Sequence, residues 1–212
     1  FPQVFCPHSN FDNYGENISI NVAKQKLKLA LNTRYLRFFG VIRDYKGLDL
    51  LITAFADERL RKFPVKLLVA GEYYSNPEPY LNLIKENNLE EWIELRTDFI
   101  PDDEVNLYFS AADMVVQPYK SATQSGVTQI GYHFNKPMLV TNVGGLSEII
   151  PDGKIGYVVE PESAKIADAL VDFYENDRMT EFEVNVVEEK KKFSWSNMVQ
   201  TFLTVYKQAK EL

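Results

Sequence analysis

The chain has 212 residues and a formal net charge of −7; it is 45% hydrophobic and carries 14 Phe and 12 Tyr. That is enough length for one large domain and enough apolar content for a sizeable core, while the acidic balance argues against a nucleic-acid binder. The single cysteine, Cys6, rules out an intrachain disulfide and fits a reducing compartment; no apolar run approaches the ~20 residues of a membrane span and no secretory leader is written.

In chain order, "FPQVFCPHSNFDNYG" reads as an extended segment entering a polar loop, as if continuing a longer chain. Ser19 is placed to cap a helix over 20–31, with Val22, Leu27, Leu29 and Ala30 apolar. "RYLRFFG" predicts a strand, and "GLDLLITAF" a helix with Leu48, Leu51, Ile52 and Phe55 on one face. "VKLLVAGE" is a continuous apolar run, as expected of a strand buried on both faces. A helix over 78–88, the strand "WIELRT" and a helix behind Pro101 and Asp102 follow. The strand "ADMVVQP" stops at Pro118, and Ser125 to Phe134 predicts a helix. The strands "KPMLVTN" and "GYVVEP" come next, then helices over 162–176, 178–191 and 194–211.

Strand and helix alternate at least five times. Such alternation selects an α/β fold, a doubly wound parallel sheet with right-handed crossovers. Ligands of these sheets bind at the carboxyl ends of the strands, so the informative loops are 40–47, 71–78, 97–102, 118–126 and 142–147.

Three of these loops suit an anion. In "FFGVIRDYKGLDLLITAF", Arg43 and Lys46 stand beside a helix start, where the macrodipole favours acidic residues. "PYKSATQSG" brings Ser121, Thr123, Gln124 and Ser125 to the start of another helix, and Gly126 permits close approach to its first N–H groups. "NVGGLS" adds Gly144 and Gly145, with Glu148 one turn into the helix that follows. Taken singly, these are explained as well by snorkelling cations, an N-cap and a tight turn. Together they gain weight, because the fold brings them to one sheet edge, where a polyanion could lie between two helix N-termini.

Other chemistries lack their motifs. Neither a G-x-G-x-x-G nor a P-loop is present, and there is no Asp-x-Asp pair. Asp102, Asp103 and Glu104 are accounted for as helix-start residues. His8 and His133 stand far apart without cysteine partners, so no metal site is expected. His133 reads as a core or boundary residue, and Trp92 and Trp195 as packing.

The ordered blocks "FFGVIRDYKGLDLLITAF", "LLVAGE", "DFIPDDEVNLYFSAADMVVQPY", "NKPMLVTNVGGLSEIIPDGKIGYVVEP" and "FSWSNMVQTFLTVY" resemble the C-terminal, nucleotide-sugar-binding half of group 1 (family 4) glycosyltransferases. The resemblance covers nearly the whole chain. It implies one Rossmann-like half of a GT-B enzyme, transferring sugar with retention and without a bound metal or other cofactor. Residues 1–18 would then be interdomain linker and first strand, 19–193 the donor-binding domain, and 194–212 a helix packing toward an N-terminal domain. Lys46 would bind the diphosphate, with Ser125, Gly126 and Val127 presenting backbone N–H groups to it. The loop Asp98, Phe99 and Ile100 would pass the nucleobase. Thr123, Gln124, Thr128, Gly144, Gly145 and Glu148 complete the expected surroundings of base, ribose and sugar. Two positions depart from the family pattern. Its arginine falls at Val41, which turns attention to Arg43, and its paired glutamates fall at Ala122 and Ile130; Gln124 or Thr128 are the candidate substitutes.

The implied function is donor binding in a retaining glycosyltransferase acting on a hexose-type nucleotide sugar. The acceptor, a glycan or lipid-linked molecule, would be held by the N-terminal half. Alternatives are a non-catalytic nucleotide-sugar-binding module and a nucleotide-sugar epimerase of the same fold. The expected location is cytoplasmic, or peripheral at the inner membrane face.

Overall fold

Six of the apolar runs become strands: β1 (Arg34–Phe39), β2 (Val65–Ala70), β3 (Ile93–Arg96), β4 (Met114–Gln117), β5 (Met138–Thr141) and β6 (Gly156–Val159). In the computed structural model, which describes residues 13–210, all six pair in parallel in the order β3-β2-β1-β4-β5-β6. The helices are α1 (Ile20–Lys26), α2 (Leu48–Phe55), α3 (Glu78–Glu86), α4 (Val105–Ala111), α5 (Gly126–His133), α6 (Leu146–Ile149), α7 (Ser163–Glu175), α8 (Met179–Glu189) and α9 (Trp195–Lys210).

Side chains alternate across the sheet with the two-residue period of a strand. Leu36, Phe38, Leu67, Val69, Val116 and Leu139 meet Leu48, Leu51, Phe55, Ile84, Ile166 and Leu170 from α2, α3 and α7. On the other face, Tyr35, Leu68 and Ala70 join Tyr108 and Ala111 of α4. Val115 and Val140 there join Phe109, Tyr132 and Phe134. Two buried faces explain why the strands read as unbroken apolar runs. Arg37 of β1 is the exception. Its guanidinium is fully buried, has no hydrogen-bond partner among the described residues and lies over the rings of Phe39 and Phe109. Cation–π attraction offsets part of that desolvation cost, and burial pulls its pKa well below the arginine range.

The strand order has one functional consequence. From β1 the chain winds outward to β3, then returns past β1 to β4 and winds the other way to β6. The connections leaving β1 and β4 therefore diverge and open a crevice at the carboxyl edge, the topological switch point.

Three expectations need adjustment. The helix expected over 20–31 stops at Lys26, although Ser19 caps it by accepting from the Val22 N–H. Lys28 adopts φ 56°, the Leu29 N–H donates to the Lys24 carbonyl, and Leu29 turns into the core. This is the Schellman closure, with lysine where glycine is usual. Residues 13–18 hold no strand, and the rest of the expected linker strand, with Cys6 and His8, lies outside the described residues. Trp195, read as packing, is the third: it is exposed and forms one stripe with Val199, Phe202, Leu203 and Tyr206 on α9, of which no residue is buried. Among the described residues, no helix is long and apolar enough to cross a membrane.

Strand β6 enters the sheet through Gly156, at φ 155°, where a Cβ would come 1.8 Å from the Met138 carbonyl oxygen. Gly156→Ala should cost about 2–3 kcal/mol and lower the melting temperature by roughly 5–10 °C, followed by circular dichroism. Gly153→Ala, where nothing lies within 4 Å, should cost only the backbone strain of its positive φ, about 1 kcal/mol.

Candidate functional site

The switch-point crevice is walled by the loops leaving β1 and β4. After β1 the chain continues beside β2: the Gly40 N–H donates to the Ala70 carbonyl and the Ile42 N–H to that of Glu72. A 3-10 turn over Asp44–Lys46 then ends at Gly47, whose φ of 67° starts α2. A Cβ on Gly47 would lie 1.9 Å from the Pro118 carbonyl oxygen, so glycine is required for the two loops to meet. The Lys120 N–H donates to the Tyr45 carbonyl, and the Lys120 ammonium pairs with Asp44 at 2.8 Å and Asp49 at 2.9 Å.

Beyond this junction lies a cleft of about 460 Å³ lined by Tyr45, Lys46, Tyr119, the segment 122–127, Ile130 and Tyr14. Lys46 projects back across Gly40 toward the Tyr119 ring, 5.9 Å from its centroid. A Cβ on Gly40 would come 3.0 Å from the ammonium nitrogen. The ammonium has no carboxylate partner among the described residues. Burial, and then the nearby Arg43 charge, bring its pKa down to about 8. Since the folded pKa lies below the unfolded value, the charged form costs stability at neutral pH. That cost is relieved as pH rises from about 8 toward 10.5.

Opposite Lys46, α5 starts at the cleft wall. Ser125 has extended backbone but makes no side-chain cap; its hydroxyl lies 3.2 Å from that of Tyr119. The first-turn N–H groups of Gly126 and Val127 thus have no intrahelical acceptor, and they carry the partial positive charge of the helix start. An uncapped N-terminus facing an ammonium that has no carboxylate partner among the described residues is an arrangement that suits an anion.

The other expected residues divide among three places. Thr123 and Gln124 line this cleft with Ser125, Gly126 and Val127. Phe99 and Ile100 line an adjoining recess of about 140 Å³ with Val41, Glu72 and Asp102; Asp98 is exposed beside it. Tyr14 lines both spaces and joins them. Five residues stand apart. Arg43 is exposed and stacks over the Tyr74 ring, 4.0 Å from its centroid, outside the cleft lining. Thr128 is fully buried and donates to Gln117 Oε1 at 3.0 Å, so its hydroxyl serves the core. Gly144 and Gly145 approach protein, not a void: a Cβ on Gly144 would lie 1.6 Å from the Ala122 carbonyl oxygen, and the Gly145 N–H donates to the Thr123 carbonyl at 2.9 Å. Their role is to brace the loop before α5. Glu148 lines a different cavity, of about 530 Å³, between α6 and α9.

Sequence reasoning missed Tyr14, Tyr45, Tyr119 and the Lys120 ion pairs. The "PYK" of loop 118–126 held part of that signal: an aromatic and a cation directly after a strand end. His133 behaves as a boundary residue, its Nε2 2.7 Å from the Gly15 carbonyl oxygen. Among the described residues, no group of three or more His, Cys, Asp or Glu could hold a metal ion.

A doubly wound domain with a cleft at its switch point is the architecture of one half of a GT-B glycosyltransferase. Residues 33–176 match the family described as glycosyl transferases group 1, and the chain belongs to that family. D-inositol 3-phosphate glycosyltransferase of Corynebacterium aurimucosum is 28% identical over 215 residues, covering 97% of this chain and 51% of that protein. The C-terminal domain of the group 1 family protein LpcC from Francisella tularensis shares the fold with a TM-score of 0.75 at 22% identity, covering 86% of this chain and 97% of that one. Anabaena HepE, solved with UDP and glucose, gives a TM-score of 0.75 at 19% identity, covering 94% of this chain and 55% of that one. The chain spans about half the length of the curated relatives it matches.

Thr128→Val leaves Gln117 Oε1 buried without a donor, so it should lower stability by about 1–3 kcal/mol in a urea titration. Thr123→Ala, at an exposed cleft position, should change stability by less than about 0.5 kcal/mol.

Proposed function

We propose that this chain is the donor-binding half of a retaining, metal-independent glycosyltransferase of polysaccharide or glycoconjugate synthesis. Its donor is a nucleotide-diphospho-sugar with a hexose-type sugar, and its acceptor, a glycan or lipid-linked molecule, is held by an N-terminal domain. The reaction takes place on the cytoplasmic side. The observation that carries this reading is the Lys46 ammonium, without a carboxylate partner among the described residues, facing the uncapped start of α5 across a cleft at the switch point.

The chemistry follows from that pair. When a sugar leaves a nucleoside diphosphate, negative charge builds on the departing phosphate oxygens. A fixed cation and oriented N–H dipoles stabilise that charge more in the transition state than in the ground state. The smaller recess beside Phe99 and Ile100 receives the nucleobase, with Tyr14 between base and diphosphate. A single domain offers one wall of the reaction site, so transfer requires the second half for positioning and for exclusion of water. A non-catalytic nucleotide-sugar-binding module is the second reading. Ile130 favours it, as an apolar side chain lining the cleft where the resembling family carries glutamate.

Calorimetry tests the donor site directly. Nucleoside diphosphates should bind more tightly than the matching monophosphates, and Lys46→Ala should weaken the diphosphate by about 1–3 kcal/mol. Equal affinities, unchanged in the variant, would remove the assignment. The pH dependence is a separate check. A bound diphosphate favours the charged lysine, so affinity should fall as pH rises above the free-site pKa of about 8. The expected loss is roughly fivefold from pH 8 to 9 and about tenfold over the next unit, with proton uptake on binding. The Lys46→Ala protein should show neither effect.

A further inference from the structure

We propose that Tyr119 is the positioning residue of the phosphate cleft, orienting the Ser125 hydroxyl as a hydrogen-bond donor to the bound diphosphate. The inference rests on the donor-site reading above and assigns a role to a side chain outside the phosphate-binding lysine and helix start.

The Tyr119 ring is 3% exposed and sits between the two walls of the cleft. The Lys46 ammonium lies over the ring, and the Tyr45 ring packs against it in a T-shaped pair with centroids 6.2 Å apart. Its backbone carbonyl accepts from the Thr141 hydroxyl, which ties the start of the loop to the end of β5. The Tyr119 hydroxyl has one partner among the described residues, Ser125 Oγ at 3.2 Å. Ser125 in turn spends its hydroxyl on no first-turn N–H, unlike Ser19 at the start of α1.

The direction of that hydrogen bond decides its use. A phenol is a stronger donor than an aliphatic alcohol, and burial pushes the Tyr119 pKa up to about 12, so the phenol keeps its proton across the working pH range. With Tyr119 donating, the Ser125 oxygen is the acceptor and its own proton is free to rotate into the cleft. There it adds a side-chain donor beside the Gly126 and Val127 N–H groups. The chain of two hydroxyls also polarises the outer one. In the opposite arrangement Ser125 would present lone pairs to an anion, which the ligand itself disfavours.

The test is a double-mutant cycle on uridine and guanosine diphosphate affinity, with the matching monophosphates measured in parallel. Tyr119→Phe keeps the ring and removes a hydroxyl whose one partner among the described residues faces the cleft, so the melting temperature should stay within a few degrees. Affinity for whichever diphosphate binds should fall about five- to tenfold, and Ser125→Ala should cause a similar fall. The double variant should be no worse than Ser125→Ala alone, because Tyr119 acts through Ser125. A Ser125→Ala protein that binds diphosphate as tightly as the unsubstituted chain would overturn the proposal, whatever the state of the tyrosine variant. So would a Tyr119→Phe loss that persists undiminished in the Ser125→Ala background. If the unsubstituted chain binds neither diphosphate, the donor-site reading falls and takes this proposal with it. Binding by the unsubstituted chain with no loss in Tyr119→Phe overturns this proposal alone.

Discussion

The rest of the molecule depends on a contact between two backbones. Gly47, in the left-handed conformation, packs against the carbonyl of Pro118 at a distance no side chain could share. That contact joins the loop from β1 to the loop from β4, the two connections that the strand order drives apart. Lys46 stands one residue before it, and the start of α5 lies eight residues beyond Pro118. Loosening it would lose the alignment of cation and helix start, although neither residue of the contact touches the cleft void.

Around this contact the protein spends its strongest interactions on geometry, not on neutralising charge. Lys120 holds Asp44 and Asp49 together, and Gly144 and Gly145 brace the segment before α5 from the β5 side. Asp44 and Asp49 could have answered a nearby cation, but both turn to Lys120. Lys46 is left partly desolvated, without a carboxylate partner among the described residues and with a depressed pKa. A half-buried ammonium without a carboxylate partner is costly, and in an open cleft it is available to an anionic ligand. The same economy appears at α5, whose cap residue faces Tyr119 instead of closing its own helix.

The recess and the cleft meet at Tyr14, a residue ahead of the first helix. The site is therefore assembled from at least four separate stretches: the approach to α1, the β1 loop, the loop after β3 and the β4 loop. No stretch of the sequence is a binding motif by itself, and this is why the individual loops read as well as caps and turns. Their juxtaposition follows from parallel pairing in the order β3-β2-β1-β4-β5-β6.

What the sequence determined alone was the periodicity and its consequences. Continuous apolar runs separated by amphipathic stretches require a parallel sheet covered on both faces, and such a sheet places its binding loops at the carboxyl edge. That rule points to the loops of Lys46, Ser125 and Gly126, and the family resemblance adds Val127; all four line the cleft. Side-chain direction was not legible, since it is fixed by neighbours remote in sequence. Thr128 and Thr123 are alike in type and nearly adjacent, yet one bonds Gln117 in the core and the other lines the cleft. Arg43 and Lys46 differ by three residues, yet one stacks on Tyr74 and the other enters the cleft. Gly144 and Gly145 were readable as close-contact positions, but only packing decided that the approaching group is the Ala122–Thr123 backbone. Local spacing specifies which element forms and where it ends; which way a side chain faces is settled when the elements pack, because only then do the competing partners exist.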